Sequence, residues 1–548
     1  MQIQQGAAPE FLDTGRKPVQ GARGAVTSPN YLATQAGEQV IRKGGHAVEG
    51  AIAVNAVLCV VYPHMAGLGG DLFALVYDQQ EKRVQSINGS GRAGENASIS
   101  WYKDRDYKSI PDRGIEAANT VPGTVDAWEK LHQQHGKLEW KELFEDAIYY
   151  AEHGFPVSEK FNRFINEKAE VIEMNEEASS VFFQEGKGLE PGWLMVQKNL
   201  AWTLKQIADH GASSFYQGEI ADKMIASLEK HDGLLTKEDL KNHVSDWQEP
   251  ISTTYKKDYE IFEMQPNTQG IGTLMMLNIL EKYNLKELGD NSVGYYHLMA
   301  EAAKIAFTYR DQWVTDPAFE DVPVKDLLSE AHTEKMLGQI NMDKAFPVKD
   351  LPELPELDVN KDTTYFAVTD KDGNAVSMIQ SIYHEFGSGF MVEDCGFLLQ
   401  NRGSFFSLDE EHPNKLEPGK RTFHTIIPAM ALKNDEPFLL FGTMGGEGQP
   451  QSQCALFTRI VEFGYDMQQA IEAPRWLYGR TWGEDSSSLK LESRIPDAVV
   501  TALADKGHEI EPALSYSQQM GHAQGIIIRN KIYEAGADPR GDGIALSW

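Results

Sequence analysis

The spacing of apolar residues changes along the chain, and each change predicts a different element. From Ala33 to Gly45 apolar residues recur at helical spacing and stop at a glycine pair, which predicts a helix with a glycine C-cap. The next run, AIAVNAVLCVVYP, predicts a buried helix, because it is too short to cross a membrane and contains Asn55. LFALVYD and RVQSING then predict strands. This part of the chain predicts a helix packed on a sheet.

The chain turns from helix to strand behind an exposed connector. Residues 121–241 contain amphipathic runs closed by glycine, which predict helices. Between Asp343 and Lys361 the sequence is rich in proline and charge, so we expect neither helix nor strand there. TYFAVT then alternates, DKDGN supplies an Asp-Gly turn, and AVSMIQSI alternates again. Thr363 therefore lies where the connector meets the first strand of a predicted hairpin.

Composition excludes several classes of partner. The 548 residues carry a formal charge of −30, which repels phosphate backbones and acidic membranes, so we expect no nucleic-acid and no membrane partner. The first residues lack the pattern of a secretory signal, which predicts a cytoplasmic protein. Three widely spaced cysteines predict free thiols rather than a disulfide framework.

Common cofactor motifs lack their required sequence context. HEFGS at His384 has no second histidine of a zinc-protease helix, and no Gly-Lys pair is followed by Ser or Thr as in a phosphate-binding loop. GLGGD precedes a strand, whereas a dinucleotide-binding turn follows one. We therefore expect no metal and no cofactor.

Thr363 gains a specific chemistry if the peptide bond before it is cut. A free α-amine, with a pKa near 7.7 to 8.0, could take the hydroxyl proton within the same residue. GTMGGEGQPQ supplies two consecutive glycine amides, Gly445 and Gly446, that could donate to a tetrahedral oxyanion. The alternatives are an ordinary strand threonine and an ordinary glycine turn.

A series of segments along the chain carries a family resemblance. In order, they are ATQAGEQVIRKGGHAVEGAIAVNAVLCVVYPHMAGLGGDLFALVYD, VPGTVDAW, AEHGFPVSE, FYQGEIADKM, DTTYFAVTDKDGNAVSMIQS, FGSGF, GTMGGEGQPQ, EAPRW and DPRGDG. Together they resemble the γ-glutamyltranspeptidase family of N-terminal-nucleophile hydrolases, in the branch of oxamate amidohydrolase and cephalosporin acylase. The resemblance implies an α+β fold, a four-layered αββα sandwich. It also implies self-cleavage between Asp362 and Thr363 into a large subunit, residues 1–362, and a small subunit, residues 363–548, intertwined in one domain.

The resemblance also implies roles for individual residues. Thr363 takes the place of the nucleophile, and Ser381 that of a hydroxyl residue hydrogen-bonded near it. Gly445 and Gly446 take the place of the oxyanion hole. Thr364 is a supporting neighbour.

The chain departs from transpeptidases in the substrate pocket. The position of the arginine that grips the glutamyl α-carboxylate holds Ser90, with Arg92 two residues later. QNRGSFFS puts Phe405 in place of the acid that holds the α-amine and introduces Arg402. The other changed residues expected in the pocket are Tyr383, His424 and Thr425.

These departures leave the acyl substrate open between two classes. The family as a whole implies γ-glutamyl-type amides such as glutathione, hydrolysed or transferred through an acyl-threonine. Cationic groups without an acidic partner favour instead a carboxylate-bearing acyl group that lacks a free α-amine, as in oxamate, glutaryl or cephalosporin amides. A different possibility is an unprocessed member that binds ligands without catalysis. For Arg402 a salt bridge is the alternative to substrate binding, and for His424 a structural hydrogen bond.

Overall fold

The structure is a computed structural model of the chain and describes residues 15–347, 363–479 and 486–548. Asp362 and most of the proline-rich connector lie outside the described residues. In the part of the chain that is described, no helix is both long enough and apolar enough to cross a membrane.

Most strands belong to two large sheets, and the rest form short ribbons. In chain order the strands are β1 (Val19–Gly21), β2 (Gly24–Ser28), β3 (Asp71–Asp78), β4 (Arg83–Gly89), β5 (Phe155–Pro156), β6 (Phe183–Gln184), β7 (Lys187–Gly188), β8 (Leu194–Met195), β9 (Asp246–Gln248), β10 (Ile251–Tyr255), β11 (Tyr259–Glu263), β12 (Thr364–Asp370), β13 (Ala375–Ser381), β14 (Ala429–Lys433), β15 (Glu436–Thr443), β16 (Trp476–Tyr478), β17 (Leu489–Glu492), β18 (Ile510–Ala513), β19 (Ala523–Arg529), β20 (Ile532–Ala537) and β21 (Ile544–Ser547).

The helices lie mainly before β12, with three after it. They are α1 (Tyr31–Arg42), α2 (Ala47–Val61), α3 (Ile99–Lys103), α4 (Thr124–His135), α5 (Glu145–His153), α6 (Glu159–Glu167), α7 (Ala169–Glu173), α8 (Glu176–Phe182), α9 (Lys198–His210), α10 (Ser213–Tyr216), α11 (Glu219–Glu229), α12 (Lys237–Lys241), α13 (Gly270–Glu281), α14 (Leu285–Leu288), α15 (Val293–Trp313), α16 (Val324–Leu327), α17 (Glu330–Leu337), α18 (Gln449–Phe463), α19 (Met467–Glu472) and α20 (Asp497–Asp505).

Each large sheet combines strands from both sides of Thr363. One has the order β1-β20-β19-β15-β14-β11-β10, and the other has the order β21-β2-β12-β13-β3-β4-β9. All pairings within these two sheets are antiparallel. The predicted hairpin is β12 and β13, and it lies in the middle of the second sheet. The chain before Thr363 and the chain after it therefore fold as one unit.

Alternation along the strands produces four layers. In β3, Phe73, Leu75 and Tyr77 face the other sheet, where they meet residues such as Met430 and Leu440. The intervening residues of β3 pack instead against a helical layer that includes α1 and α2. The other sheet packs its outer face on α13, α15 and α18. Because successive side chains of a strand point to opposite faces, each sheet buries one face on its partner and one on helices. The predicted αββα sandwich is confirmed.

Local sequence explains the first helical layer. The Asn30 side chain accepts a hydrogen bond from the Leu32 backbone, so α1 begins two residues before the predicted start. His46 and Glu49 form a capping box at the start of α2, whose residues are all buried. The apolar run was predicted to be a buried helix, and this is confirmed.

Candidate active site

The candidate nucleophile lies at the open end of the β12–β13 hairpin. Thr363 is buried, directly before β12, and its Oγ1 lies 3.3 Å from Oγ of Ser381, the last residue of β13. Thr364 pairs with Gln380 in the ladder, and the Thr364 hydroxyl donates to the Gln380 carbonyl at 3.1 Å. Hairpin register therefore sets the distance between the two hydroxyls.

The glycine turn follows β15, in the other sheet. Gly445 and Gly446 have φ values of 122° and 53°, a region that glycine adopts without steric cost. The Gly445 carbonyl accepts a hydrogen bond from the Gly448 amide at 2.9 Å. A short 3₁₀ turn, Gly446–Gly448, then leads into α18. The sequence forms a tight turn with two consecutive glycine N–H groups, which are the donor type that an oxyanion hole uses.

Tyr383 joins the nucleophile region to Arg402. The Tyr383 amide donates to Ser381 Oγ at 2.8 Å, and Tyr383 has an unusual φ of 81°. The Arg402 guanidinium carbon lies 3.8 Å from the centroid of the Tyr383 ring, a cation–π contact. Arg402 Nη1 also donates to Thr425 Oγ1 at 3.2 Å. The structure thus brings Thr363, Ser381, Tyr383, Arg402 and Thr425 together.

Arg402 is buried without an ion pair. It is 1% exposed, and within the described residues neither its Nε nor its Nη2 has a hydrogen-bond acceptor. No carboxylate of the described chain forms a salt bridge with it, so the salt-bridge alternative is not the arrangement found. Burial lowers the pKa of Arg402 to about 10, although Tyr383 and Asp71 act in the opposite direction. The site therefore holds a buried cation with two unused donor nitrogens.

Asp71 lies beside this cation and contacts His424. His424 Nε2 lies 3.1 Å from Asp71 Oδ2, and Asp71 Oδ1 accepts from the Gly91 amide at 3.0 Å and from Gln400 Nε2 at 2.9 Å. Burial raises the pKa of Asp71 to about 6, although its hydrogen bond from Gln400 lowers it. Burial and the charge of Arg402 hold the pKa of His424 well below its ordinary value. His424 is thus neutral near pH 7 and is not the second cation that the sequence suggested.

The other predicted pocket residues divide into two groups: Phe405 and Ser90 are buried, whereas Arg92 is partly exposed. Phe405 packs on Tyr383, with ring centroids 5.9 Å apart, and lines a cavity of about 200 Å³. Ser90 is buried and donates to Asn88 Oδ1 at 2.7 Å. Arg92 instead extends to Asp246, with Nη2 3.3 Å from Oδ2 and a partly exposed side chain. Among the described contacts, none joins Arg92 to the nucleophile region.

Sequence reasoning missed two residues of this site. Among the described residues, Asp71 is the only carboxylate in contact with His424. Its one signal in the sequence is an acid at the first position of a largely apolar strand. Gln269 donates from Nε2 to the carbonyls of Thr425, at 2.5 Å, and Gly446, at 2.9 Å. A glutamine before a buried helix carries no comparable signal.

A second cluster of polar side chains, away from this site, has the residue types of a metal centre. His297, Glu301 and His508 are buried together. His297 Nε2 faces the Asn341 carbonyl at 2.9 Å, which assigns the ring proton there, so His297 Nδ1 accepts from His508 Nε2 at 2.8 Å. Lys304 pairs with Glu301 at 2.7 Å. The donor atoms are already used by a neutral hydrogen-bond relay and an ion pair, so this set does not fit a metal ion.

Comparisons with known proteins identify the family of the chain. The family model described as Gamma-glutamyltranspeptidase matches residues 33–548. The chain is 45% identical to the "Glutathione hydrolase-like YwrD proenzyme" of Bacillus subtilis, covering 97% of this chain and 99% of that protein. It is 38% identical to the "Oxamate amidohydrolase proenzyme" of Klebsiella pneumoniae, covering 96% and 98%. The solved structure of cephalosporin acylase from Bacillus halodurans has a TM-score of 0.90 at 34% identity, covering 100% and 99%. The chain therefore belongs to the gamma-glutamyltranspeptidase family of N-terminal-nucleophile hydrolases.

Proposed function

We propose that this chain is a threonine amidohydrolase activated by cleavage of its own backbone between Asp362 and Thr363. The 3.3 Å approach of the Thr363 and Ser381 hydroxyls, at the end of a buried hairpin, supports this assignment. So do the proenzyme names of two relatives. The products are a large subunit, residues 1–362, and a small subunit, residues 363–548. They stay associated because both sheets contain strands of each.

In the processed chain, the free α-amine of Thr363 accepts the hydroxyl proton as Oγ1 attacks the amide carbonyl carbon. The N–H groups of Gly445 and Gly446 donate to the oxygen that becomes negative. As the C–N bond breaks, the ammonium proton passes to the leaving nitrogen and an ester remains on Oγ1. Water then attacks the ester, the amine again accepts a proton, and the acid leaves with the Thr363 hydroxyl restored. An acceptor amine in place of water gives acyl transfer by the same steps.

The acyl group that we propose carries a carboxylate bound by Arg402. The observation that carries this proposal is the buried guanidinium with Nε and Nη2 unused among the described residues. A buried donor without an acceptor is costly, and a planar carboxylate can accept from two guanidinium nitrogens at once. Stacking on Tyr383 holds the guanidinium plane near Ser381, and so near Thr363.

Among the described residues of this pocket, none offers an unpaired carboxylate to a substrate ammonium. Phe405 is apolar, and Asp71 is fully buried with its oxygens bonded to Gly91, Gln400 and His424. We therefore favour acyl groups without an α-amine, of the oxamate or glutaryl type. The oxamate amidohydrolase relative and the cephalosporin acylase structure support this class. The relative named glutathione hydrolase-like, at 45% identity, and relatives named glutathione hydrolase, at 29–30% identity, support γ-glutamyl amides as the rival.

Intact-mass analysis tests the processing step. Wild-type protein should resolve into two fragments that meet between Asp362 and Thr363, and Thr363→Ala should remain a single chain. Thr363→Ser keeps a hydroxyl and should process at least partly. Cleavage of the alanine variant at the same bond would contradict the nucleophile assignment. A wild-type chain that stays intact after long incubation would support the non-catalytic alternative.

The substrate class is tested with one leaving group and three acyl groups. The 4-nitroanilides of glutaryl, γ-glutamyl and pentanoyl groups share a five-carbon chain and differ in the carboxylate and the α-amine. We expect kcat/KM to be highest for the glutaryl amide, by about tenfold or more over γ-glutamyl, because a buried ammonium without an anion costs more than about 1–3 kcal/mol. A tenfold preference for γ-glutamyl would make a glutathione hydrolase the better description.

A further inference from the structure

Gln269 is a buried side chain that touches two separate parts of the proposed site. Its Nε2 donates to the Thr425 carbonyl at 2.5 Å and to the Gly446 carbonyl at 2.9 Å. Its backbone amide donates to the His424 carbonyl at 3.0 Å. Gln269 lies directly before α13, in the chain before Thr363. Thr425, Gly446 and His424 all follow Thr363. One amide thus joins the oxyanion turn to the segment that contacts Arg402.

These bonds fix peptide planes that glycine alone would leave free. Gly445 and Gly446 have positive φ values, and a glycine turn has many accessible conformations. The Gly448 amide holds the Gly445 carbonyl at 2.9 Å, and Gln269 holds the carbonyl of Gly446. Because a peptide is planar, fixing a carbonyl also fixes the N–H on the other side of the same bond. The Gly446 N–H is thus fixed through the Gly445 carbonyl, and Gln269 fixes the next peptide, Gly446–Glu447, so the backbone at Gly446 is held on both sides.

Arg310 determines which way the Gln269 amide faces. Arg310 Nη1 donates to Gln269 Oε1 at 2.8 Å, and Arg310 is itself paired with Asp311 at 2.6 Å. Arg310 Nη2 also lies 3.6 Å from Glu447 Oε1, directly after the glycine pair. If the amide flipped, its NH₂ group would face a guanidinium and its oxygen would face two carbonyls. Arg310 thus selects the orientation that donates to the site.

We propose that Gln269 is a positioning residue that couples the oxyanion turn at Gly446 to the Arg402–Thr425 contact, with Arg310 fixing its amide. The part that concerns acyl selectivity rests on the proposed function. Loss of the two Nε2 bonds relaxes both ends together, so it lowers the rate of the chemical step and weakens the preference for a carboxylate. A residue that served only the fold would lower stability and leave both properties unchanged.

The test uses Gln269→Met, which keeps the length of the side chain and removes its hydrogen bonds. The matched control is Gln453→Met on α18, because Gln453 is equally buried and donates to the Ile427 carbonyl at 2.9 Å. Rates are expressed per processed chain, counted by intact mass. Removing an oxyanion donor costs about 10²- to 10³-fold in kcat. We expect Gln269→Met to lower kcat about 10- to 100-fold and to reduce the glutaryl-to-pentanoyl ratio of kcat/KM. Gln453→Met should do neither.

Arg310 variants provide the second measurement. Arg310→Met should reproduce the kcat loss of Gln269→Met, and Arg310→Lys, which keeps a cationic donor, should restore part of it. If Gln269→Met lowers only the thermal midpoint, as Gln453→Met would, the proposal is overturned. If Gln269→Met does not fold, equal kcat in Arg310→Met and wild type overturns it. A wild-type enzyme without any glutaryl preference would refute the acyl assignment alone, because kcat would still report on Gln269.

Discussion

Two buried arginine regions in this protein balance their charge in different ways. Near the C-terminus, Arg475 and Arg540 share Asp538, with nitrogen–oxygen distances of 2.6 Å and 3.2 Å, and Arg540 also pairs with Glu492. Burial alone would raise the pKa of Asp538, but the two arginines lower it well below its ordinary value. Arg402 is as deeply buried and has no carboxylate in salt-bridge contact among the described residues.

The difference separates a structural charge from one available to a ligand. A buried charge is costly unless it is paired. In the C-terminal network, acidic side chains of the same chain pair with the two arginines. Arg402 has instead an aromatic face, one hydroxyl and a lowered pKa. The described residues supply no acceptor for Nε and Nη2, and on the proposed function a substrate carboxylate bound near Thr363 supplies it. Burial without a described salt bridge, close to the proposed nucleophile, is therefore the more informative feature.

The largest expected effect separates the two regions by stability. Arg540→Ala leaves Asp538 and Glu492 buried with less compensation, and breaking a buried pair in this way costs about 3–5 kcal/mol. Arg402→Ala removes a charge that has no salt-bridge partner among the described residues and should cost much less. Thermal unfolding of both processed variants measures this difference. Equal losses in the two would show that Arg402 is a structural residue and not a charge kept for a ligand.

The next effect concerns catalysis at Arg402 alone. Arg402→Ala should lower kcat/KM for the glutaryl anilide about 10- to 100-fold, because a hydrogen bond to a charged group is worth about 1.5–3 kcal/mol. The pentanoyl anilide has no carboxylate and should change far less. Arg402→Lys should give an intermediate value, since an ammonium lacks the planar pair of donors. If Arg402→Ala affects both anilides equally, Arg402 does not bind the carboxylate.

The hairpin and the position of Thr363 at its end were predictable because their signals are local. Alternation around an Asp-Gly turn predicted β12 and β13, and the position of Thr363 beside Ser381 follows from hairpin register. The glycine turn was predictable because only glycine tolerates both of its backbone conformations. The residues that set the hairpin register, and the glycines that permit the turn, each lie within one short segment.

The charge pattern of the pocket was not predictable because it depends on distant pairs. Asp71 and His424 are 353 residues apart, and nothing in either segment names the other as a partner. Arg92 was expected in the pocket, but it pairs with Asp246 of β9 instead. Tertiary contacts decide which arginine forms an ion pair within the chain and which keeps unused donor nitrogens. A single sequence does not show those contacts.

The smallest expected effect is a pH dependence caused by Asp71. Its pKa, raised to about 6 by burial, means that Asp71 is charged above pH 6 and neutral below it. A charged Asp71 partly offsets the positive charge of Arg402 and repels a bound carboxylate. A neutral Asp71 does neither. KM for the glutaryl anilide should therefore fall as pH decreases from 7.5 to 5.5, by roughly three- to tenfold. The substrate carboxylate, with an ordinary pKa near 4.3, stays mostly ionised over that range.

The measurement must separate this effect from the titration of the nucleophile. Protonation of the Thr363 amine lowers kcat as pH falls, because a protonated amine cannot accept the hydroxyl proton, so kcat and KM should move down together for the glutaryl anilide. The pentanoyl anilide should lose kcat in the same way while its KM stays constant, since it carries no charge for Asp71 to repel. Asp71→Asn resembles the protonated form and should show a low glutaryl KM at every pH. A glutaryl KM that rises on acidification, or one that falls equally in Asp71→Asn, would mean that Asp71 does not control the charge that the substrate meets at Arg402.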